Sequence, residues 1–360
     1  MIKQTGNLFL RMPTSNKVFI LMNLGSPDST EIKDLKKYLT QFLMDARVID
    51  KPYLVRSLLV KGIIVPFRAK KSAAAYKSVW AAEGAPLIVI SKQLQQLVQK
   101  NFEEPVELVM RYGQPSSEDV LKKVHDQNKN LDEIILLPLY PHYAMSSYET
   151  AVEDIKDAHT KGGYSSRITT IKPFYNNTDY INALAESIRP YLQEDFDKIL
   201  FSYHGIPERH VKKTDITHSH CLMVNDCCHV PSSAHNFCYR HQTIRTTEII
   251  TERLQIPKEK VEQTFQSRLG RDPWLLPFTA VRLTELPNEG VKKVLVVCPA
   301  FVSDCLETLE EMAIQGREIF MDAGGESFQL IPCMNTQYLW IEAITKWFRT
   351  YLQGDKTMVN

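Results

Sequence analysis

The sequence predicts an α/β fold made of two doubly wound halves, because apolar strand patterns alternate with amphipathic helical patterns along most of its 360 residues. Four apolar, β-branched runs occur in each half, and the stretches between them carry Leu and Val at helical spacing. Runs that are apolar along their whole length are typical of parallel strands covered by helices on both faces. We therefore expect two parallel, four-stranded sheets.

The predicted elements follow one another in chain order. In the first half, strands are predicted at 17–24, 106–112, 133–140 and 167–174, with helices at 91–101 and 117–128. Turn-forming residues at 173–179 precede a helix at 180–192 and mark a boundary. In the second half, strands are predicted at 198–203, 261–267, 292–299 and 327–333. These elements predict a first domain at 17–175 and a second domain at 176–335.

The composition excludes several classes of protein. With 43 basic and 42 acidic residues the formal charge is +1, so nothing attracts the whole chain to nucleic acid and no such partner is expected. No run of 18 apolar residues occurs, and the first 17 residues lack the apolar region of a signal peptide, so we expect a cytoplasmic location. The seven cysteines are then expected to be reduced thiols or metal ligands.

Ligands of parallel α/β sheets bind beyond the carboxyl ends of the strands, so residues that follow strands are the candidates for chemistry. Neither a P-loop nor a G-x-G-x-x-G follows the first predicted strand, which removes the usual phosphate cradle. Arg111 and Tyr112 end the second strand. A charged fork beside an aromatic face suits a flat, acidic ligand, and the alternative is a structural ion pair beside a core tyrosine.

Two further strand ends carry titratable side chains. His204 lies in SYHGIP, directly after a buried strand, where an imidazole that titrates near neutrality can carry protons in a cleft. Asp304, Glu307 and Glu311 have the spacing i, i+3 and i+7, which predicts one shared helical face. Such a file of carboxylates can guide a hard cation or pass protons to solvent, and the alternative is a solvated acidic first turn. Acid–base chemistry with a cation is the favoured class.

A Cys/His insert at 218–241 contains four of the seven cysteines and five of the ten histidines. Its four thiolates are enough for a [2Fe–2S] cluster, and with the neighbouring histidines they are enough for a zinc site; a metal-free loop is the third alternative. The adjacent pair would need unusual backbone geometry to ligate one small cluster. The four candidate ligands are Cys221, Cys227, Cys228 and Cys238.

Several long segments, in this order, resemble the ferrochelatase family. They are ILMNLGSP at 20–27, YKSVWAAEGAPL at 76–87, LPLYPHYAMSS at 137–147, SYHGIP at 202–207, FQSRLGRDPWLLP at 265–277 and AFVSDCLETLEE at 300–311. The resemblance implies an enzyme that inserts Fe²⁺ into a porphyrin, the last step of haem biosynthesis. It also implies two Rossmann-like domains with the porphyrin in the cleft between them, and a C-terminal helix at about 336–352 that packs back on the first domain.

The resemblance also implies roles for individual residues. His204 falls on the active-site histidine, which accepts pyrrole protons, and Glu307 falls on the active-site glutamate, which positions His204, relays protons or ligates the substrate iron. Asp304 and Glu311 fall on an acidic file beside that glutamate. Cys305 is a departure, because many relatives carry histidine there. The substrate-binding positions correspond to Tyr76, Arg111, Tyr112 and Trp274.

The resemblance limits the substrate to a few porphyrins and metals, and it leaves more than one choice open. We expect protoporphyrin IX, with coproporphyrin III, a cobalt chelatase or a haem or metal carrier without turnover as alternatives; the oligomeric state stays open. Some family members carry a [2Fe–2S] cluster, at cysteine positions that differ between lineages. Residues 47–68, which we call the lip segment, mix apolar clusters with five basic residues. They correspond to a lip over the family's pocket and suit contact with an anionic membrane surface, the alternative being a helical hairpin packed on the sheet.

Overall fold

The computed structural model describes residues 16–270 and 272–360, and within them eight strands form two parallel, four-stranded sheets. The strands are β1 (Lys17–Asn23), β2 (Val106–Met110), β3 (Glu133–Pro138), β4 (Arg167–Thr170), β5 (Lys198–His204), β6 (Val261–Gln266), β7 (Lys293–Val297) and β8 (Ser327–Leu330). The strand orders are β2-β1-β3-β4 and β6-β5-β7-β8, so the two sheets share one topology. The predicted α/β class is confirmed. The expectation about a signal peptide concerns residues that lie almost entirely outside the described ones.

The helices fill the connections between strands. The α-helices are α1 (Ile32–Leu43), α2 (Tyr53–Ser57), α3 (Val65–Val79), α4 (Pro86–Gln99), α5 (Ser117–Gln127), α6 (Thr150–Lys161), α7 (Thr178–Ile188), α8 (Glu208–Lys213), α9 (Tyr239–Leu254), α10 (Thr279–Glu285), α11 (Leu306–Leu309), α12 (Arg317–Asp322) and α13 (Tyr338–Leu352). Wider π-helical turns occur at Leu58–Ile64, Met145–Glu149 and Glu311–Gly316. Short 3₁₀ turns occur at Arg189–Gln193, Ser233–Phe237, Lys258–Lys260 and Leu286–Glu289.

Both faces of the first sheet are buried, as its continuous apolar runs predict. Phe19 and Leu21 of β1 point to one face, where α4 and α13 cover them, while Val18 and Ile20 point to the other, where α5 and α6 cover them. The first of these cores continues into the second sheet, because Phe201 of β5 belongs to the same buried cluster. Residues 17–175 and 176–335 are therefore joined by one shared core.

The C-terminal helix α13 lies against the first sheet. Phe348 stacks on Phe19 with ring centroids 4.1 Å apart, and the Tyr351 hydroxyl donates to the carboxylate of Glu133 at 2.5 Å. Beyond the helix, Val359 forms a bridge with Ile171, directly after β4. The first sheet is thus completed by residues from the end of the chain.

Several predicted element ends differ from the observed ones, and proline explains two of the differences. The second half's last strand is predicted to residue 333 but ends at Leu330, because Pro332 has no N–H with which to continue the ladder. The helix predicted at 180–192 begins at Thr178, where the Asn177 side chain accepts from two backbone N–H groups, and it tightens to a 3₁₀ turn at Pro190.

The lip segment is not a hairpin. The helical conformation continues without a break from α2 through a π turn into α3, so residues 53–79, which we call the lip helix, form one rod. The wide turn lies immediately before Pro66, which has no N–H to donate to a preceding carbonyl. One end of this rod is exposed, and the other end reaches the strand ends where the candidate site lies.

Candidate active site

His204 is the last residue of β5, and its half-buried ring is held in one orientation. Its Nδ1 lies 2.7 Å from the carbonyl oxygen of Gly205. Because a carbonyl can only accept, Nδ1 carries the proton and donates, which leaves a lone pair on Nε2. The neighbouring turn is tight, since a Cβ on Gly205 would lie 3.3 Å from the Trp274 ring. The structure therefore presents Nε2 as an acceptor of protons or a metal ligand.

Glu307 lies in the first turn of α11, and a thiol faces its carboxylate. Cys305, the N-cap of that helix, is buried, and its thiol lies near Glu307. Burial and the negative charge of Glu307 raise the pKa of Cys305 well above its usual value, so it stays neutral. The position at which the resemblance predicts an imidazole in many relatives is therefore occupied by a neutral thiol.

Glu311, at the start of a π turn, lies close to His204 and Glu307. Its carboxylate accepts a hydrogen bond from the Ser267 hydroxyl, which follows β6. Burial raises the pKa of Glu311, and the negative charge of Glu307 adds to this, although Ser267 and the nearby His204 act in the opposite direction. His204, Glu307 and Glu311 thus form one electrostatically linked group. Sequence reasoning missed Ser267, although it lies in the matched segment 265–277.

Asp304 does not belong to this group, which corrects the expected file of three carboxylates. Helical periodicity begins only at Leu306, after Asp304, and Glu311 lies in a π turn. The spacing i, i+3 and i+7 therefore does not place the three side chains on one face. The buried Asp304 carboxylate instead fixes the loop: it accepts hydrogen bonds from the Thr308 hydroxyl, the Cys333 N–H and the Asn335 amide at 2.6–3.2 Å.

Aromatic side chains from both halves surround the group. Tyr76, on the lip helix, is buried, and the negative charge of Glu307 adds to burial in raising its pKa. Burial raises the pKa of Tyr140, which follows β3; the positive charge of Arg111 acts against this, and the negative charge of Glu307 adds to it. Within the described residues, the Tyr140 hydroxyl and the Trp274 indole N–H are buried without a hydrogen-bond partner. Tyr140 is a candidate that sequence reasoning missed, although it lies in the matched segment 137–147.

Arg111 and Tyr112 are bound by side chains of the N-terminal half, and their contact with an acidic ligand stays a prediction. The guanidinium of Arg111 donates to Asp45, Thr150 and Asp154 at 2.6–3.0 Å, so all three of its nitrogens have partners. Tyr112 is fully buried, and its hydroxyl donates to Asp45. The structural ion pair that the sequence allowed is the arrangement observed.

The turn after β1 supports this arrangement. A Cβ on Gly25, whose φ is +98°, would lie 1.8 Å from the Tyr112 carbonyl oxygen. Only glycine permits this close approach, so the turns that follow β1 and β2 are locked together. The glycine serves packing here, and nothing links it to a ligand.

The Cys/His insert brings its four buried cysteines together. Hydrogen bonds from Cys221 and Cys228 lower the pKa of Cys238 well below its usual value, so these three sulfurs are neighbours. Arg240 Nη1 lies 3.6 Å from the sulfurs of both Cys227 and Cys228, which places this adjacent pair on the same side of the loop. The two sulfurs of the adjacent pair therefore lie near one positive charge.

Three histidine rings contact the backbone carbonyl groups of the adjacent pair, Cys227 and Cys228. His220 and His235 contact the Cys227 carbonyl at 2.7 and 2.8 Å, and His241 contacts the Cys228 carbonyl at 2.7 Å. These ring nitrogens are therefore engaged with carbonyl oxygens. Left-handed backbone conformations at two further residues, Leu222 and Asp226, allow the tight path of the loop.

The donor set of the insert suits an iron–sulfur cluster or zinc. The four cysteines supply enough thiolates for a cluster, and backbone N–H groups donate to the sulfurs of Cys227 and Cys238 at 3.4 and 3.5 Å, as is usual for thiolate ligands. A histidine that donates one ring N–H to a carbonyl keeps its other nitrogen for a metal, so these contacts are also compatible with zinc. Across residues 16–270 and 272–360, no three His, Cys, Asp or Glu side chains already surround a metal position.

The fold and the site together define a chelatase-like protein of two α/β halves. The sirohydrochlorin chelatase SirB of Bacillus subtilis subspecies spizizenii, solved in complex with cobalt, superposes with a TM-score of 0.51 over 95% of this chain and 98% of its own. At 11% sequence identity this similarity shows the fold alone.

Sequence comparison identifies the family. The family model described as Ferrochelatase matches residues 16–352. Ferrochelatases of Opitutus terrae, Stutzerimonas stutzeri and Porphyromonas gingivalis are 47, 45 and 45% identical over 342, 334 and 333 residues. These matches cover 94, 92 and 92% of this chain and 99, 97 and 95% of the relatives. The chain belongs to the ferrochelatase family, and it is an enzyme that inserts a metal ion into a porphyrin.

Proposed function

We propose that this enzyme inserts Fe²⁺ into protoporphyrin IX, with His204 as the proton acceptor. The observation that carries the proposal is the fixed tautomer of His204, which leaves a lone pair on Nε2, together with the carboxylate of Glu311 near this ring. A free porphyrin carries two inner N–H protons, and both must leave as the iron enters. A neutral imidazole with a fixed tautomer is suited to take up such a proton.

Glu307 and Glu311 are proposed to receive the proton that His204 takes from the porphyrin. A carboxylate beside a newly formed imidazolium stabilises it, and burial of Glu311 favours the form that holds a proton. Glu307 is also placed to contact the incoming iron. The neutral Cys305 thiol lies near Glu307 and adds no charge to the site.

Tyr76 and Trp274 are proposed to grip the porphyrin ring. A flat ring hides its nitrogen lone pairs from a hydrated metal ion, whereas a bent ring exposes them. Walls that fit the bent ring bind the transition state better than the substrate and so accelerate insertion. The unpartnered indole N–H of Trp274 supports this role, because a buried donor without a partner is costly unless a ligand supplies one.

The test is anaerobic insertion of Fe²⁺ into protoporphyrin IX. His204→Ala and Glu307→Gln should each lower kcat by roughly 100-fold or more, the scale of acid–base contributions. His125→Ala, at a half-buried surface histidine, and Glu310→Gln, whose carboxylate accepts from Gln315, are the matched controls and should keep full activity. Full activity of His204→Ala would refute its role.

The same assay separates the alternatives. A higher kcat/KM with coproporphyrin III would overturn the choice of protoporphyrin IX, and a higher kcat/KM with cobalt would overturn the choice of Fe²⁺. Porphyrin binding without turnover in the wild type would favour a carrier.

We further propose that Cys221, Cys227, Cys228 and Cys238 hold a [2Fe–2S] cluster. The convergence of their sulfurs and the N–H groups that donate to them support this. When bound, such a cluster supplies one-electron redox chemistry, which insertion of Fe²⁺ itself does not require. Arg240 would then donate to the sulfurs of the adjacent pair.

The cluster proposal is tested on anaerobically purified protein. We expect two iron and two acid-labile sulfide per chain, with visible absorption that Cys238→Ser removes. Cys298→Ser, at a buried cysteine outside the insert, should keep both. Zinc without sulfide would replace the cluster by the zinc alternative, and metal-free wild-type protein would overturn both.

The lip helix is proposed to contact an anionic membrane surface. Leu54, Leu58 and Phe67 are 73–81% exposed, far more than apolar side chains of their size usually are. Exposed basic residues accompany them at Lys51, Lys61, Arg68, Lys70 and Lys71. Among the residues that the structure describes, no helix combines the length and the apolar composition needed to cross a bilayer.

Vesicle sedimentation tests this contact. The wild type should pellet with vesicles that contain phosphatidylserine and less with phosphatidylcholine alone. Phe67→Ser should weaken pelleting, whereas Ile216→Ser, at an exposed apolar residue far along the chain, should not. Equal pelleting of Phe67→Ser and wild type would contradict the proposal.

A further inference from the structure

We propose that Gln266 is a positioning residue for iron insertion, because it sets the position of Glu307 relative to His204. The inference rests on the roles proposed above for those two residues. Gln266 is the last residue of β6, lies opposite His204 in the sheet and is only 2% exposed. Among the described residues, Gln266 alone forms a hydrogen bond both to the backbone next to His204 and to the backbone of Glu307.

One bond comes from the backbone of Gln266 and the other from its side chain. Its carbonyl oxygen accepts the Gly205 N–H at 2.6 Å, directly after His204. Its side-chain Nε2 donates to the Glu307 carbonyl at 2.8 Å. The strand end that carries His204 and the turn that carries Glu307 are therefore fixed to the same residue.

The amide of Gln266 has a single orientation. Its Oε1 accepts from the Ser202 hydroxyl at 2.9 Å and from the Cys298 thiol at 3.4 Å. A flipped amide would place its N–H group against the Cys298 thiol and an oxygen against the Glu307 carbonyl. The bonds to Oε1 thus keep the Gln266 Nε2 group directed at the Glu307 carbonyl.

The short helix that carries Glu307 needs such support. Helix α11 has only four residues, so it forms few internal hydrogen bonds and cannot fix its own first turn. A buried amide is costly unless its groups are bonded, and an apolar side chain would fill the same space. What the amide adds is a defined position for Glu307. Loss of that position affects proton and metal transfer more than porphyrin binding.

Three variants test the inference. Gln266→Met keeps the shape but removes all three side-chain bonds. We expect kcat to fall by about 10-fold or more, toward the roughly 100-fold cost of a 1 Å misplacement. Its KM for porphyrin and its porphyrin affinity, measured by fluorescence quenching, should change by less than about 2-fold. The matched control is Gln263→Met on the same strand, which loses bonds to Thr243 and Thr247 and should keep wild-type kcat.

Gln266→Glu supplies a readout that a purely structural role would not move. The carboxyl group that this substitution introduces would still donate to the Glu307 carbonyl when protonated, and would not when deprotonated. Activity of the variant should approach that of the wild type at low pH and fall, relative to the wild type, as the pH rises through the pKa of the new carboxyl group. This measurement stands even if Gln266→Met folds poorly.

The outcomes separate the two proposals. Wild-type kcat in folded Gln266→Met, equal losses in Gln266→Met and Gln263→Met, or a pH profile of Gln266→Glu that matches the wild type would each overturn the role of Gln266. Full activity of His204→Ala would instead overturn the proposed catalytic pair itself.

Discussion

Acidification should destabilise the folded protein through one buried histidine, His142, which follows β3 at the contact between the two halves. Its ring packs edge-on against Tyr203 and Tyr239, with centroids 5.4 and 6.0 Å away. Its Nε2 donates to the Thr246 hydroxyl oxygen at 2.9 Å, because that hydroxyl itself donates to the Tyr175 carbonyl. Nδ1 is buried with no partner in the described chain, so no charge on this ring is compensated.

The size of the effect follows from the pKa. Burial lowers the pKa of His142 from 6.5 to about 3. Between these values the unfolded chain binds a proton that the folded protein does not, so the free energy of unfolding decreases as the pH falls below 6.5. Between about pH 7.5 and pH 5 this one group should remove about 2 kcal/mol.

Urea unfolding at the two pH values, in wild type and His142→Gln, measures the effect. Glutamine can still donate to Thr246 but cannot titrate, so the variant should lose about 2 kcal/mol less on acidification than the wild type. His125→Gln, at a surface histidine, controls for the loss of an imidazole. Equal losses in His142→Gln and wild type would refute the reasoning, because the buried neutral ring would then not be the source of acid sensitivity.

Three further substitutions test other parts of the structure. Phe348→Ala removes the ring that stacks on Phe19 and should lower the free energy of unfolding in urea by about 3–5 kcal/mol; a loss below about 1 kcal/mol would contradict the shared core. Asp215→Asn removes a buried charge that accepts two backbone N–H groups at the start of the Cys/His insert, so iron and sulfide content should fall; unchanged content would show that the loop orders without it. Cys305→His should retain iron insertion, and complete loss of activity would show that the thiol is specialised.

The strands were predictable because their apolar character is local. Residues 198–203 and 292–299 are apolar over nearly their whole length, and such runs have few alternatives to a strand buried on both faces. His204 could be found for the same reason, since a polar residue at the end of such a run stands out. The ends of strands and helices were less predictable, because they depend on which backbone groups find a hydrogen-bond partner.

The contacts of Arg111 and Asp304 are with partners that are distant in the chain. Arg111 is bound by Asp45 and Asp154, which lie 66 and 43 residues away, and no spacing rule connects them. Asp304 is bound by Asn335, 31 residues further on, in a loop whose periodicity the sequence represents as helical. Gln266 lies in the matched segment 265–277, but its contacts could not be read from the sequence, because they form only once two strand ends and a short helix are brought together.

The contact between α13 and the first sheet has a consequence for synthesis on the ribosome. When the first 175 residues have emerged, all four strands of the first sheet and helix α4 exist, but α13, the second helix that covers Phe19, does not. Part of one apolar face therefore stays open until residues 338–352 are translated, and it is available to chaperones or to aggregation during that time. The first half is synthesised first, but its core is complete only after α13 has been translated.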